Sequence, residues 1–311
     1  MSRRHSLLVL AILLVSTLPA LALVPGQDLL VPGAGRGTPW VTDLYVNNPG
    51  DSTVSVTVYW LVRNAANPNP VSIVFDLAPG ETEVLDDVIA NDFGLASGNG
   101  AFRVVATGDV LVNSRIYATD GQGDTLGQGF AGVPVSAATA AGDTATVVGL
   151  SSNATFRTNL YATAGPDGAV MNVRLVDPSG DEIASAPVTL RGYEPYLRNI
   201  AQALNPGDFA EGTLEVTVSS GAAVVGASKV DNGTTDPTTL ESSVRAGAGS
   251  ADGTYQFAIY DSFSFATGGN VVVENGVVTA INGTYTNWDK LTGDESACTT
   301  IFLWGLGLPD T

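Results

Sequence analysis

The chain has 311 residues, with 31 acidic side chains against 13 basic and a formal net charge of −18. A hydrophobic content of 44% excludes a disordered acidic polymer, and the length admits one large domain or two to three ordinary ones. One histidine and one cysteine narrow the available chemistry before any motif is read.

Residues 1–22 read as a secretory signal peptide. Arg3 and Arg4 form a positive start, Leu7 to Leu18 an apolar stretch, and Ala20-Leu21-Ala22 a small-x-small cleavage site after Pro19. The apolar stretch is too short to cross about 30 Å of hydrocarbon. No later apolar run reaches transmembrane length, so no membrane-spanning segment is expected in the mature chain, and secretion is. Cleavage after Ala22 removes Arg3, Arg4 and His5, leaving 11 basic residues against 31 acidic ones, a net charge of −20 and no imidazole. Without histidine, a Ser-His-Asp triad, a Cys-His pair and His-ligated zinc are excluded. Lys229, Lys290 and nine scattered arginines make nucleic acid an unsuitable partner.

From Leu23 onward, short runs rich in Val, Thr, Ile and Tyr alternate with Gly, Pro, Asn and Asp clusters. Thr53 to Trp60 and Thr213 to Val218 alternate with a period of two, which places one face in a core. Asn47 to Asp51 and Gly165-Pro166-Asp167-Gly168 read as turns. Short helices are expected only at Leu85–Phe93 and Asn199–Leu204, as connections. The chain also resembles itself. Trp40-x-Thr42-Asp43-Leu44-Tyr45 aligns with Phe156-x-Thr158-Asn159-Leu160-Tyr161, and Gly100 to Val104 with Gly212 to Val216. A period near 115 residues suits whole domains better than solenoid turns.

The expected fold is therefore all-β: two tandem immunoglobulin-like β-sandwiches followed by a small antiparallel β-meander. The first sandwich takes residues 23–143, the second 144–246 and the meander 247–311. Ser136 to Asp143 and Ala246 to Asp252 read as linkers. In the meander, Asn275-Gly276 and Asn282-Gly283 each read as a hairpin turn, and the sheet is expected to pack on the second sandwich.

Three blocks carry a family resemblance. They are Val31 to Gly35 before Trp40-x-Thr42-Asp43-Leu44; Ser114-Arg115-Ile116-Tyr117 with Gly127-Gln128-Gly129; and Phe156 to Leu160 with Val230 to Thr238. As a set, they resemble a group of exported bacterial proteins of acidobacterial type with tandem β-sandwich domains. The resemblance spans roughly residues 29–244. It implies a modular extracytoplasmic protein of the surface or matrix and transfers no catalytic residue.

The candidate chemistries are few. The paired acids Asp86-Asp87, Asp181-Glu182 and Asp294-Glu295 are the raw material of a carboxylate-dependent glycosidase, but as sequence neighbours they suit solvated turns better. Asp120 and Asp124, and Asp231 and Asp236, set oxygens around glycine-containing loops at equivalent places in the repeat. Calcium is the cofactor they suggest, against ordinary Asx turns. Trp40 is matched by Phe156 and reads as core. Trp60 and Trp288 are the candidate glycan-stacking residues, against packing. Cys298 reads as a buried, inert thiol. The expected function is a non-catalytic structural or adhesion protein of the cell surface or extracellular space, whose partner is a protein or a glycan. A carbohydrate-binding module and a carboxylate-dependent glycosidase are the alternatives.

Overall fold

Alternation with period two, interrupted by Gly, Pro and Asn, leaves little but strands and turns. The computed structural model describes residues 23–119 and 122–245 in full, and the backbone of four strands between 253 and 298. Strand accounts for 67% and helix for 5%, so helices serve only as connections, as expected. Every strand pairing is antiparallel.

The first assembly holds β1 (Gly26–Arg36), β2 (Trp40–Asn47), β3 (Val54–Val62), β4 (Ser72–Leu77), β5 (Thr82–Leu85), β6 (Gly98–Thr119), β7 (Thr125–Ala131) and β8 (Val133–Pro134). Its strands run β4-β3-β6-β1-β8 in one layer and β5-β2-β6-β7 in the other. The long β6 belongs to both layers. Residues near Val104 pair with β1 and β3, and residues near Arg115 pair with β2 and β7. Between the layers lie Leu29, Leu44, Val56, Val58, Phe102 and Val112, all buried. A helical turn, α1 (Val88–Asn91), bridges β5 and β6.

The second assembly holds β9 (Thr139–Ala140), β10 (Thr144–Ser152), β11 (Phe156–Val176), β12 (Glu182–Leu190), β13 (Pro195–Asn199), β14 (Phe209–Asp231), β15 (Pro237–Glu241) and β16 (Ser243–Arg245), with α2 (Ile200–Leu204) after β13. Its order is β12-β11-β14-β10-β16, with β13 on β11 and β15 on β14. Pairing for pairing, β10 stands where β1 does, β14 where β6 does, and β11 where β2 and β3 do. One local bond repeats at the 116-residue offset of the sequence alignment. Thr42 Oγ1 accepts from Gly35 N at 3.0 Å and donates to Gly35 O at 2.6 Å. Thr158 Oγ1 does the same with Ser151, at 3.2 and 2.7 Å. Both threonines are fully buried.

Three expectations are corrected. Gly165-Pro166-Asp167-Gly168 is not a turn between strands but a bulge inside β11, where pairing with β14 jumps from Ala164 to Ala169. Here β11 bends between layers. Gly168 at φ 79° and Gly221 at φ 72° permit the bend, and a Cβ on Gly221 would come within 2.0 Å of Gly168 O. Asn282-Gly283 is not a turn either. It lies inside a strand, paired with Asn270 and Gly269, because the hairpin signal is outweighed by continuous pairing on both sides. Finally, Ser136 to Asp143 is no free linker. Within it β9 pairs with Ala222 and Ala223 of β14, and Ala138 and Thr139 are buried.

Downstream, β17 (Gly253–Tyr260), β18 (Phe265–Glu274), β19 (Val277–Trp288) and β20 (Glu295–Cys298) form a four-stranded antiparallel meander. The Asn275-Gly276 pair falls between the paired strands β18 and β19. The linker at 246–252, the packing of the meander and the side chain of Cys298 lie outside the described residues.

Candidate functional site

The two assemblies meet in a built seam. The outward face of the second assembly, on β11, β13, β14 and β15, covers the open edge of the first between β1 and β7. Tyr161 leaves the β11 surface and enters the core of the first assembly, where it is 6% exposed and its ring lies 5.0 Å from Phe130. Gln128 donates to its hydroxyl at 3.2 Å. Burial raises the Tyr161 hydroxyl above its ordinary range, so it stays protonated. Beside it, Thr239 Oγ1 donates to Gly129 O at 2.7 Å. Leu30, Leu61, Ala101, Ala138 and Val224 form an apolar cluster shared by both assemblies.

The other end of the seam is a loop clamp. Residues 191–195 reach back to the β3–β4 connection. Asn64 N donates to Pro195 O at 3.0 Å, Asn67 Nδ2 to Tyr193 O at 2.8 Å, and Arg191 Nη2 to Asn64 O at 2.7 Å. Arg103 holds Asp28 through two bonds of 2.8 and 2.7 Å. Its guanidinium lies 4.5 Å from the Tyr193 ring and 5.7 Å from the Tyr59 ring. The Glu194 carboxylate accepts from Arg191 N and Nε at 3.0 and 2.8 Å.

Those bonds from Arg191 hold the Glu194 carboxyl below its ordinary range. A depressed carboxylate pKa contributes stability above the unfolded value, near 4.3, and loses it as pH falls through the folded value. The clamp is therefore expected to hold above that unfolded value and to loosen only as pH falls below it. Hydrogen exchange of the 191–194 amides against pH checks this. Glu194→Gln should remove that acid dependence, and an unchanged acid profile would refute it.

Beyond the seam, the matching outward face of the first assembly is open among the described residues. It is formed by β2, β5, β6 and β7. Asp43 is 6% exposed and its Oδ1 accepts from Asp87 N at 2.9 Å. Tyr45 donates to Asp43 Oδ2 at 3.4 Å, and Tyr117 stands opposite Val41, diagonal to Asp43. Arg115 lies 4.7 Å over the Tyr117 ring and donates to Thr125 Oγ1 at 2.7 Å. Burial first, and the Asp43 charge second, raise both tyrosine hydroxyls.

Comparison with protein-family models, with curated proteins and with solved structures finds no match to the chain.

The residues singled out in the sequence fall elsewhere. Trp60 is not a surface platform. It is 3% exposed and packed at 5.4 Å from Phe102 and 6.3 Å from Phe93, since every second residue of β3 faces the core. Trp288 lies on β19, and its side chain is outside the described residues.

Asp120 is likewise outside them, while Asp124 is exposed in the β6–β7 connection. Asp231 Oδ1 accepts from Gly233 N and Thr234 N at 2.7 and 2.9 Å. That Asx turn, through its two amide bonds, depresses the Asp231 carboxyl. Asp236 N donates to Thr234 Oγ1 at 3.2 Å in the same turn. Among the described residues no group of three or more His, Cys, Asp or Glu gathers to hold a metal.

In each of the two described acid pairs, one member is engaged with a cation. Asp87 pairs with Arg36 at 2.9 Å, and Glu182 with Arg174 at 2.9 Å. Asp294 lies outside the described residues. No helix among the described residues is long and apolar enough to cross a membrane.

Sequence reading missed the seam and the outer face. Their only signals were Tyr45 and Tyr161 in the repeated block and the Gly127-Gln128-Gly129 run.

Proposed function

We propose that this is an exported protein of two tandem immunoglobulin-like β-sandwiches (residues 23–143 and 144–246) and a C-terminal meander. Its role is non-catalytic structure or interaction at the cell surface or in the extracellular space. The observation that carries the reading is the seam. Tyr161 seated in the neighbouring core and the Asn67–Tyr193 clamp fix two sandwich-like bodies at one angle. A stiff pair of this kind suits a spacer or display element, whereas a catalytic cleft between units calls for motion or convergent acids. The engagement of Asp87 with Arg36 and of Glu182 with Arg174 supports a non-catalytic role, as does the strongly acidic composition for a dispersed extracytoplasmic protein. The kinship with exported bacterial tandem-sandwich proteins, and the absence of a calcium requirement, belong to the same proposal.

The test is expression of the full chain in a bacterial host with fractionation and N-terminal sequencing. The expected product is extracytoplasmic and begins at Leu23. A cytoplasmic product that retains Met1 would overturn the reading.

A further inference from the structure

The seam and the outer face occupy matching positions, and their differences say what the free one takes. In register, Tyr45 stands beside Val84 as Tyr161 stands beside Leu197. Tyr161 and Leu197 pack into the first assembly, whereas Val84 is 47% exposed. The open face thus lies at the position that, in the second assembly, receives a partner.

It is not shaped to receive the same partner. Residues two apart on a strand lie about 7 Å apart on one face, which is about the reach of a tyrosine from Cα to hydroxyl. The Tyr45 hydroxyl bonds Asp43, two residues back, so its ring lies along the strand instead of standing off it. Tyr161 has Asn159 at that place, its hydroxyl bonds Gln128 across the seam, and its ring projects. The Tyr117 ring is laid against the guanidinium of Arg115, two residues back on its own strand. Next to them, β7 places Gly127 opposite Tyr117 and Gly129 opposite Arg115. A Cβ on Gly127 would fall 2.6 Å from Tyr117 Cβ, so the strip beside the ring is bare backbone.

Recumbent aromatic rings, a bare floor and a few fixed polar groups suit a flat, hydroxyl-rich ligand better than a projecting side chain. Arg115 supplies donors and the exposed Asp86 an acceptor. The two charge signs are both present, and the chain as a whole is strongly negative, which disfavours anionic polymers.

We propose that the outer face of β2, β6 and β7 binds a neutral saccharide chain, with sugar rings on Tyr45 and on the Tyr117–Arg115 pair. This rests on the interaction reading given above and names the partner class. The test is a glycan array with the full mature chain, followed by titration calorimetry with the neutral hexasaccharide that gives the strongest signal. Tyr45→Ala and Arg115→Ala should each weaken binding at least tenfold. Asp43→Asn, which weakens the hold on the Tyr45 ring, should weaken it less, and Val148→Ser on the second assembly should leave it unchanged. Circular dichroism confirms that each variant is folded. Absence of any neutral saccharide signal overturns the proposal, as does wild-type affinity in a Tyr45→Ala/Tyr117→Ala variant. A photo-crosslinker at position 45 that captures a protein in producing cells also overturns it, yet leaves the interaction reading standing. Failure of export removes that reading separately.

Discussion

Replacing Tyr161 by alanine is expected to cost about 3–5 kcal/mol, the range for deleting a large buried aromatic side chain. The loss should fall on the first assembly, although Tyr161 belongs to the second. Its ring fills space against Phe130 among the buried residues of the first core, where Leu197 of β13 also packs. Truncation leaves a cavity in one body and removes the plug of the other, so urea unfolding should split into two transitions, with the first assembly melting earlier. Tyr161→Phe keeps the ring and loses only the bond from Gln128, at about 1 kcal/mol. The matched change Tyr45→Ala, on an open face, should cost less than about 1 kcal/mol. A Tyr161→Ala variant with a wild-type midpoint would mean that the seam contributes nothing to the first core.

What could be read from sequence followed what is local. Alternation in Val54 to Trp60 dictates a half-buried strand, and the Thr42 and Thr158 blocks align because each closes a bond only seven residues away. The same locality misled elsewhere. Asn282-Gly283 has the composition of a turn, but register with β18 decides in favour of strand. Gly165 to Gly168 has turn composition too, and β11 uses it to bend without ending. Trp60 looked free only because its neighbours Phe93, just past the helical turn α1, and Phe102, on the adjacent strand, are distant in sequence.

The seam was illegible for the same reason. Phe130 and Tyr161, or Asn67 and Tyr193, are each ordinary residues of a strand or loop, and nothing in either segment names the other. The open face was half legible. Tyr45 and Tyr161 align, but the contrast between them depends on Asp43 against Asn159, one of three differences in the six-residue block.

Asn67 offers the sharpest test of how the clamp is built. It is 6% exposed and uses its whole amide. Oδ1 accepts from Val62 N at 2.8 Å, and Nδ2 faces Val62 O, Ala65 O and Tyr193 O at 3.1, 2.8 and 2.8 Å. Its own backbone N donates to Gly192 O at 3.2 Å. Asn67→Ala strands a buried donor and several carbonyls, each worth about 1–3 kcal/mol when left unpaired, so a loss of about 2–4 kcal/mol is expected. Asn67→Asp keeps the shape and the acceptor for Val62 N but replaces the donor with a buried negative charge facing three carbonyl oxygens. It should be at least as damaging as alanine. If shape alone mattered, aspartate would be the milder change, so the order of the two variants separates the explanations. Hydrogen exchange at the amides of Val62, Asn64 and Asn67 reads the result locally. Both variants should open that loop while leaving exchange in β10 unchanged, because β10 is paired with β14 and β16 inside the second assembly and not with the clamp.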